Sequence, residues 1–305
     1  MSPSIVDQLP IVRGTYHENA PLAPLTTVKV GGAAQVLFQP QDIEDLAYFM
    51  AKKPQDIALT VVGEGSNILI RDGGIKGVVV LLGKGCDNVT VTGARITAEA
   101  GANSGKVART ARTEGLTGGE FLCGIPGSVG GAVKMNAGAY NTEVKDILDS
   151  ATVLLKDGTR QTLTNEELGF GYRHSSLPDG AIVVEATFNL KPGDKDEIRE
   201  KMRQINRERS TSQPLNMPSS GSWFKNHVDK KGVKTNAWKL VDKAGCRGLK
   251  YGNAQVSEKH CNFFVNLGGA TAADMEKLST MVEEKVHEKM GIKLGREVRF
   301  IGEEK

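Results

Sequence analysis

The sequence predicts a mixed α and β protein of more than one domain, and three observations carry that prediction. Valine-rich apolar runs, IALTVV and GVVVLL, follow a helical segment. Strictly alternating stretches such as VTVTGARITAEA read as paired strands. A proline-bounded polar stretch, KPGDKDEIREKMRQINRERSTSQPLNMP, then separates these from a C-terminal part with its own long helix. A chain of 305 residues has room for two or three such domains, each with its own core.

Taken in order, TTVKV at 26–30 reads as extended, Ile43 to Ala51 as helical, and IALTVVGEG and GVVVLL as buried strands, an order that suggests a small α/β unit. VTVTGARITAEA gives two strands about a Gly93-Ala94 turn, and Lys106 to Glu114 a short helix closed by Gly115. ATVLLKDGTRQTL is a hairpin turning at Asp157-Gly158, followed by a Thr164-x-x-Glu167 capping box and the strand AIVVEATFNL. Beyond the polar stretch come a helix from Ala237 to Ala244 capped by Gly245, the strand NFFVNL, and a long helix after Thr271-x-x-Asp274. Met275, Leu278, Val282, Val286 and Met290 form the buried stripe of that helix. REVRFIGEEK closes the chain as a strand with Glu297 and Arg299 on one face.

Composition narrows the function. A net charge of +3 and 5% aromatic residues do not build a nucleic-acid surface, and the basic run Arg199 to Arg209 reads as a solvated helix face. Cys86, Cys123, Cys246 and Cys261 are scattered without a C-x-x-C pair, so neither a metal site nor a disulfide framework is expected. The N-terminus has no signal-peptide core, and the run from Val78 to Leu82 is too short to cross a bilayer. Reduced thiols in a cytoplasmic protein, with no membrane, nucleic-acid or obligate protein partner, are therefore expected.

Five stretches have residues suited to chemistry. In VVGEGSNILI, glycines at a strand end let backbone N–H groups turn towards an anion such as a pyrophosphate, although an ordinary turn reads the same. GIPGSVGGAVKMNAGAY at 124–140 has neither the dinucleotide nor the triphosphate fingerprint, yet its glycines let a loop press against a flat ligand or another backbone. In FGYRHS, Arg173 has the fork to clamp a carboxylate, with an exposed surface arginine as the plain alternative. SSGSWFKN sets a serine-rich turn against two aromatics and a lysine, without a hydrolase context. Glu297, flanked by Arg296 and Arg299, also reads as half of a surface ion pair.

Together and in order, VGEGSNILIRDGGIKGVVV, GLTGGEFLCGIPGSVGGAVKMNAGAY, LGFGYRHS, GSWFKN, YGNAQVSEKHCNFFVN and REVRFIG closely resemble the UDP-N-acetylenolpyruvoylglucosamine reductases, the MurB family of bacterial peptidoglycan synthesis. The resemblance runs from about Thr26 to Gly302. It implies an α+β protein with an FAD-binding fold of the vanillyl-alcohol oxidase type, two α+β subdomains at 1–83 and 84–208, followed by an α/β substrate-binding domain at 209–305. It places non-covalent FAD against Gly63, Glu64, Gly65, Ser66 and Asn67 and against Gly124, Ile125, Pro126, Gly127, Gly130, Gly131, Ala132, Asn136 and Gly138.

The activity so implied is reduction of the enolpyruvyl group of UDP-N-acetylglucosamine enolpyruvate to UDP-N-acetylmuramate, with NADPH as reductant. Hydride at C3 leaves negative charge at C2 and on the carboxylate, which needs stabilising before a proton arrives. By the resemblance Arg173 pairs with that carboxylate, Glu297 assists through a protonated carboxyl or a hydrogen bond, and Ser222 protonates C2 with Lys225 or a water polarising it. Tyr172, Lys225 and Asn226 are the expected substrate contacts, with Lys259 and His260 as weaker candidates. Arg296 stands where the family often has proline, and His174 and Trp223 fall at variable positions. The short link from Arg173 to Ile182 leaves no room for the tyrosine-bearing loop of one branch, so the chain resembles the shorter branch. The competing readings are a related FAD-dependent alcohol or sugar oxidase, tethering its flavin to a histidine such as His17, His174 or His260, and a non-catalytic flavin binder.

Overall fold

The structure is a computed structural model and describes residues 4–305. The chain forms two compact units: residues 4–18, 36–64 and 77–208 in the first, and 19–35, 65–76 and 209–305 in the second. This division differs from the three consecutive parts expected from sequence, because two short N-terminal segments belong with the C-terminal third.

In the first unit, helix α1 (Ile43–Lys52) starts where the Asp42 carboxylate accepts the Asp45 N–H at 2.8 Å. It buries Leu46, Phe49 and Met50, and the Phe49 ring lies 4.6 Å from Phe38. The strand Leu59–Val62 pairs in parallel with Ile75–Leu81 at the edge of a four-stranded sheet. Expected to be buried, it is so only at Val62, and Val61 is exposed, as an edge position allows.

A five-stranded antiparallel sheet follows, in the order Arg160–Thr164, Leu148–Leu154, Ile182–Asn189, Arg95–Glu99, Val89–Thr92. Its hairpins turn at Gly93 and Gly158, whose φ values of 61° and 82° suit glycine. Helix α2 (Ser104–Glu114) is capped by the Asn103 side chain and ends at Gly115 in the left-handed region. Short helix α3 (Val129–Lys134) lies within the glycine-rich stretch that the sequence presents as a loop. Helix α4 (Lys195–Ser212) buries Ile198, Met202 and Ile205. One apolar cluster joins residues of both sheets with α1, α2 and α4.

In the second unit, Ser219–Ser222, Phe263–Asn266, Ala254–Val256 and Lys250–Tyr251 form an antiparallel sheet, joined by helices α5 (Ala237–Lys243) and α6 (Ala272–Met290). Thr271 and Asp274 make the expected reciprocal capping box, and Met275, Leu278, Val282 and Val286 are buried, with Met290 partly so. Ile68–Ile70 pairs in parallel with Arg299–Ile301. Asp72 accepts the first two N–H groups of α6, from Ala272 and Ala273, each at 2.9 Å. Arg71 forks onto Glu276 at 2.8 and 3.2 Å. These bonds explain why residues 65–76 belong to this unit.

Three local expectations change. TTVKV is a turn rather than a strand: the Thr26 hydroxyl bonds to Ala23 and Val30 carbonyls, and Lys29 has φ 57°. Thr164 and Glu167 exchange both capping-box bonds, but only a turn follows. The last strand starts at Arg299, so Glu297 precedes it rather than sharing a strand face with Arg299.

Candidate functional site

The first unit draws the two glycine-rich stretches together. A Cβ on Gly63 would lie 2.3 Å from Ser128 Oγ, so the bare backbone where Val62 leaves its strand lies close against the Ser128 hydroxyl. Ser128 bridges to Asn103, and the Ser104 N–H and hydroxyl donate to the Gly127 carbonyl at 3.0 and 3.1 Å. Asn103 Nδ2 donates to Glu64 Oε1 at 2.7 Å. Gly63, Glu64, Gly127 and Ser128 thus converge with Asn103, which sequence reading missed. Its signal was an N-cap asparagine opening a helix directly after a strand.

Within the longer stretch the expected residues divide. Gly124 ends a 3-10 turn, Ile125 is half-buried, Pro126 is exposed, and Gly127 has φ 123°. Gly130 packs instead against Ala100, whose Cβ would stand 2.8 Å from an added Cβ, while Gly131 is exposed and Ala132 is buried. The N–H groups of Val129 and Gly130 donate to Ala102 and Ala100 carbonyls, so the start of α3 serves the fold. Asn136 is fully buried: its Nδ2 donates to Glu143 and to the Gly171 carbonyl, both at 3.0 Å, and its Oδ1 accepts from the Lys145 N–H. The Gly138 carbonyl accepts from Arg173 at 3.4 Å. Asn136 and Gly138 therefore shape the loop that presents Arg173.

That loop is tight. Gly171 and His174 exchange backbone hydrogen bonds at 3.0 and 3.2 Å, Arg173 has φ 55°, and its guanidinium sits 5.1 Å from the centre of the half-exposed Tyr172 ring. Asn136, Tyr140 and Asn141 share the positive φ that non-glycine residues seldom adopt. Strain of this kind gathers at sites that need one fixed geometry.

In the second unit, Gly65 has φ 60°, and a Cβ there would meet the Leu25 carbonyl at 2.6 Å. Asn67 binds the segment that carries Glu297: its Nδ2 donates to the Glu297 carbonyl at 3.3 Å and its own carbonyl accepts the Arg299 N–H. Ser66 lies just below Gly221, whose added Cβ would be 3.7 Å from the Ser66 carbonyl.

Ser222 ends a strand that bulges at Gly221, with φ 75°, and pairs with Phe263. Buried Ser220, just before the bulge, leaves its Oγ without a hydrogen-bond partner among the described residues. Beyond Ser222 the chain is clamped on both sides. Trp223 receives the Glu297 N–H on its carbonyl at 2.8 Å, and Asn262 both accepts from the Phe224 N–H and donates to its carbonyl. Lys225 is exposed and donates its backbone N–H to Gly295. Asn226 Oδ1 caps α5 by accepting the Ala237 N–H at 3.0 Å.

The other candidates are accounted for by packing. His260 lies edge-on to Phe263, accepts the Asn262 N–H on Nδ1, and has its pKa lowered by burial. Lys259 Nζ donates to the Ser210 carbonyl. Arg296 is drawn onto Glu283 at 2.5 and 3.1 Å and stacks on Phe300, so it does not compete for Glu297. Among the described residues no His, Cys, Asp and Glu group has metal-binding geometry, and no helix is long and apolar enough to cross a membrane.

A bare strand end backed by a serine loop, in a unit built on two sheets, suits a flat cofactor lying against backbone. Residues 34–164 match the FAD binding domain, and a glucooligosaccharide oxidase from Acremonium strictum, 18% identical at TM-score 0.50 over 97% of this chain and 59% of that one, shares the fold. The chain thus has an FAD-binding domain on a fold shared with that oxidase. Residues 213–301 match the C-terminal domain of UDP-N-acetylenolpyruvoylglucosamine reductase. The reductase of that name from Parvibaculum lavamentivorans is 46% identical over 98% of this chain and 95% of its own length. The crystal structure of that from Thermus caldophilus is 35% identical at TM-score 0.81, covering 96% of this chain and all of the other. The chain belongs to the UDP-N-acetylenolpyruvoylglucosamine reductase family.

Proposed function

We propose that the chain reduces the enolpyruvyl group of UDP-N-acetylglucosamine enolpyruvate in two half-reactions, with Arg173, Ser222 and Glu297 as the residues that act on the substrate. The FAD chemistry is the acceptance of a hydride from NADPH and its delivery to C3 of the enolpyruvyl group. Gly63, Glu64, Gly127 and Ser128, with Asn103 behind them, are the residues in the first unit that would hold the cofactor. Gly65, Ser66 and Asn67, which follow Glu64 in the chain, are further expected contacts.

The protein's part is charge and proton management. Arg173, fixed by its own strained turn and by the Gly138 carbonyl, presents a fork to the substrate carboxylate. Ser222 holds the proton delivered to C2, and Glu297 stabilises the charge that precedes it. Tyr172, Lys225 and the Asn226 amide nitrogen are the further substrate contacts. In this reading residues 1–83 and 84–208 serve FAD and 209–305 the substrate. The catalysis would take place in the cytoplasm, without a protein partner.

The observation that best supports this reading is the Glu297 N–H bond to the Trp223 carbonyl, because it sets Glu297 against the residue next to Ser222. The test is anaerobic spectroscopy of the flavin-loaded protein. NADPH should bleach the flavin and the enolpyruvyl substrate should restore its colour. Ser222→Ala should keep the first step and slow the second by roughly 10²–10⁴-fold, the usual contribution of a positioned proton donor. Equal loss of both steps would remove Ser222 from that role, and flavin that stays attached after denaturation would point to the oxidase reading instead.

A further inference from the structure

We infer that the first unit has a second ligand site, an anion site between α2 and α4, whose ligand is a small molecule bearing a pyrophosphate-type group. A cavity of about 250 Å³ lies there, lined by Arg109 and Arg112 from α2 and by Arg199, Arg203 and Asn206 from α4. No carboxylate lines it. Arg109 and Arg112 are three residues apart and Arg199 and Arg203 four, so each pair shares a helix face. Two faces of like charge meet across one small space, an arrangement that opposes helix packing unless an anion enters.

The two walls differ. Arg199 pairs with Asp196 at 2.8 Å and Arg203 with Glu200 at 3.6 Å, one turn back on the exposed side of α4. Such pairs are weak and yield readily to a stronger anion. Half-buried Arg112 and exposed Arg109 make no ion pair among the described residues. Their guanidinium forks match phosphate oxygens, and two opposed pairs call for a ligand with more than one anionic group. The volume is below the roughly 300–1,000 Å³ of a site for a whole drug-sized ligand, so a compact head group is what fits inside. None of the lining residues belongs to the Gly63 and Ser128 cradle or to the proposed substrate contacts.

The test is calorimetric titration of the flavin-loaded protein with inorganic pyrophosphate at low and high salt. One pyrophosphate should bind per chain, inorganic monophosphate should bind more weakly, and added salt should weaken both. Arg112→Gln should weaken pyrophosphate binding at least ten-fold while the flavin spectrum is kept. Arg203→Gln, on an exposed face, gives the same reading should the first variant lose its flavin. The proposal is overturned if pyrophosphate does not bind, if both variants bind it as the parent does, or if it binds only flavin-free protein and is displaced by FAD, which would place it in the cofactor cradle.

Discussion

The Glu297 N–H donates to the Trp223 carbonyl at 2.8 Å, and a chain of side chains also ties Trp223 to Arg296, the residue before Glu297. The buried Trp223 indole N–H donates to Ser279 Oγ at 2.8 Å, Ser279 donates to Glu283, and Glu283 receives Arg296, the neighbour of Glu297. Trp223 itself is stacked on Phe264 at 4.4 Å. Trp223 is therefore where the core of the second unit grips the segments that carry Ser222 and Glu297. The catalytic proposal depends on that rigidity, because a hydroxyl delivers a proton only from a fixed place.

Asn262 is the most exposed point of failure in that grip, in energetic terms. It is 4% exposed and satisfies both backbone groups of Phe224. Asn262→Ala should cost about 2–4 kcal/mol, since a buried donor and a buried acceptor would both lose their partner. Urea unfolding checks the stability. Stopped-flow spectroscopy should show the substrate half-reaction slowed more than reduction by NADPH.

Gly130 and Gly131 are adjacent in α3 and should respond in opposite directions. An Ala at 130 would drive its Cβ to 2.8 Å from that of Ala100, whereas at exposed Gly131 the nearest atom is 3.6 Å away. Overpacking costs about 1–3 kcal/mol, and the helical gain of Ala over Gly is about 1 kcal/mol. Gly130→Ala should therefore lower stability by up to about 2 kcal/mol, and Gly131→Ala should raise it by up to about 1 kcal/mol at compatible backbone angles. Thermal unfolding of the two variants side by side decides it.

These contrasts show what sequence alone conveys. The Thr271-Asp274 box, the Gly115 cap and the turns at Gly93 and Gly158 were legible because each is a local bond or a local backbone angle. TTVKV misled because its β-branched residues favour strands, while the Thr26 hydroxyl closes a turn on the Val30 carbonyl. Helix α3 was hidden because Gly130 and Gly131 depress helix propensity, and packing on Ala100 overrides them. The parallel pairing of Ile68–Ile70 with Arg299–Ile301 has no local signal at all. Ser222, Arg173 and Glu297 stand out in the sequence only as members of an ordered set of motifs, and their roles are the proposal made above. Asn103, which ties Glu64 to α2, was not legible even so.

The cysteines should report the integrity of both units. Burial pushes the Cys86 thiol up to about 12 and that of Cys261 to about 11, and it raises Cys246 as well. At about pH 8 these three should remain thiols and resist iodoacetamide in the native protein, then react once urea unfolds it. Peptide mass spectrometry reads the result. Rapid native labelling of Cys246 or Cys261 would mean that the second unit opens far more often than its packed core implies.

His260 should make stability depend on pH. Burial beside Phe263 lowers its pKa below 6.5, outweighing the opposing effect of a backbone hydrogen bond, and the charge of Arg247 adds a smaller lowering. Above 6.5 the ring is neutral in both states and the stabilising contribution is complete. As pH falls through that value the unfolded chain takes up a proton that the folded ring refuses, so stability drops until the folded pKa is passed. Urea midpoints should therefore fall as pH is lowered through 6.5, and His260→Phe should flatten that part of the profile while Trp238 and Phe263 keep their packing. An unchanged slope in the variant would assign the pH dependence to other groups.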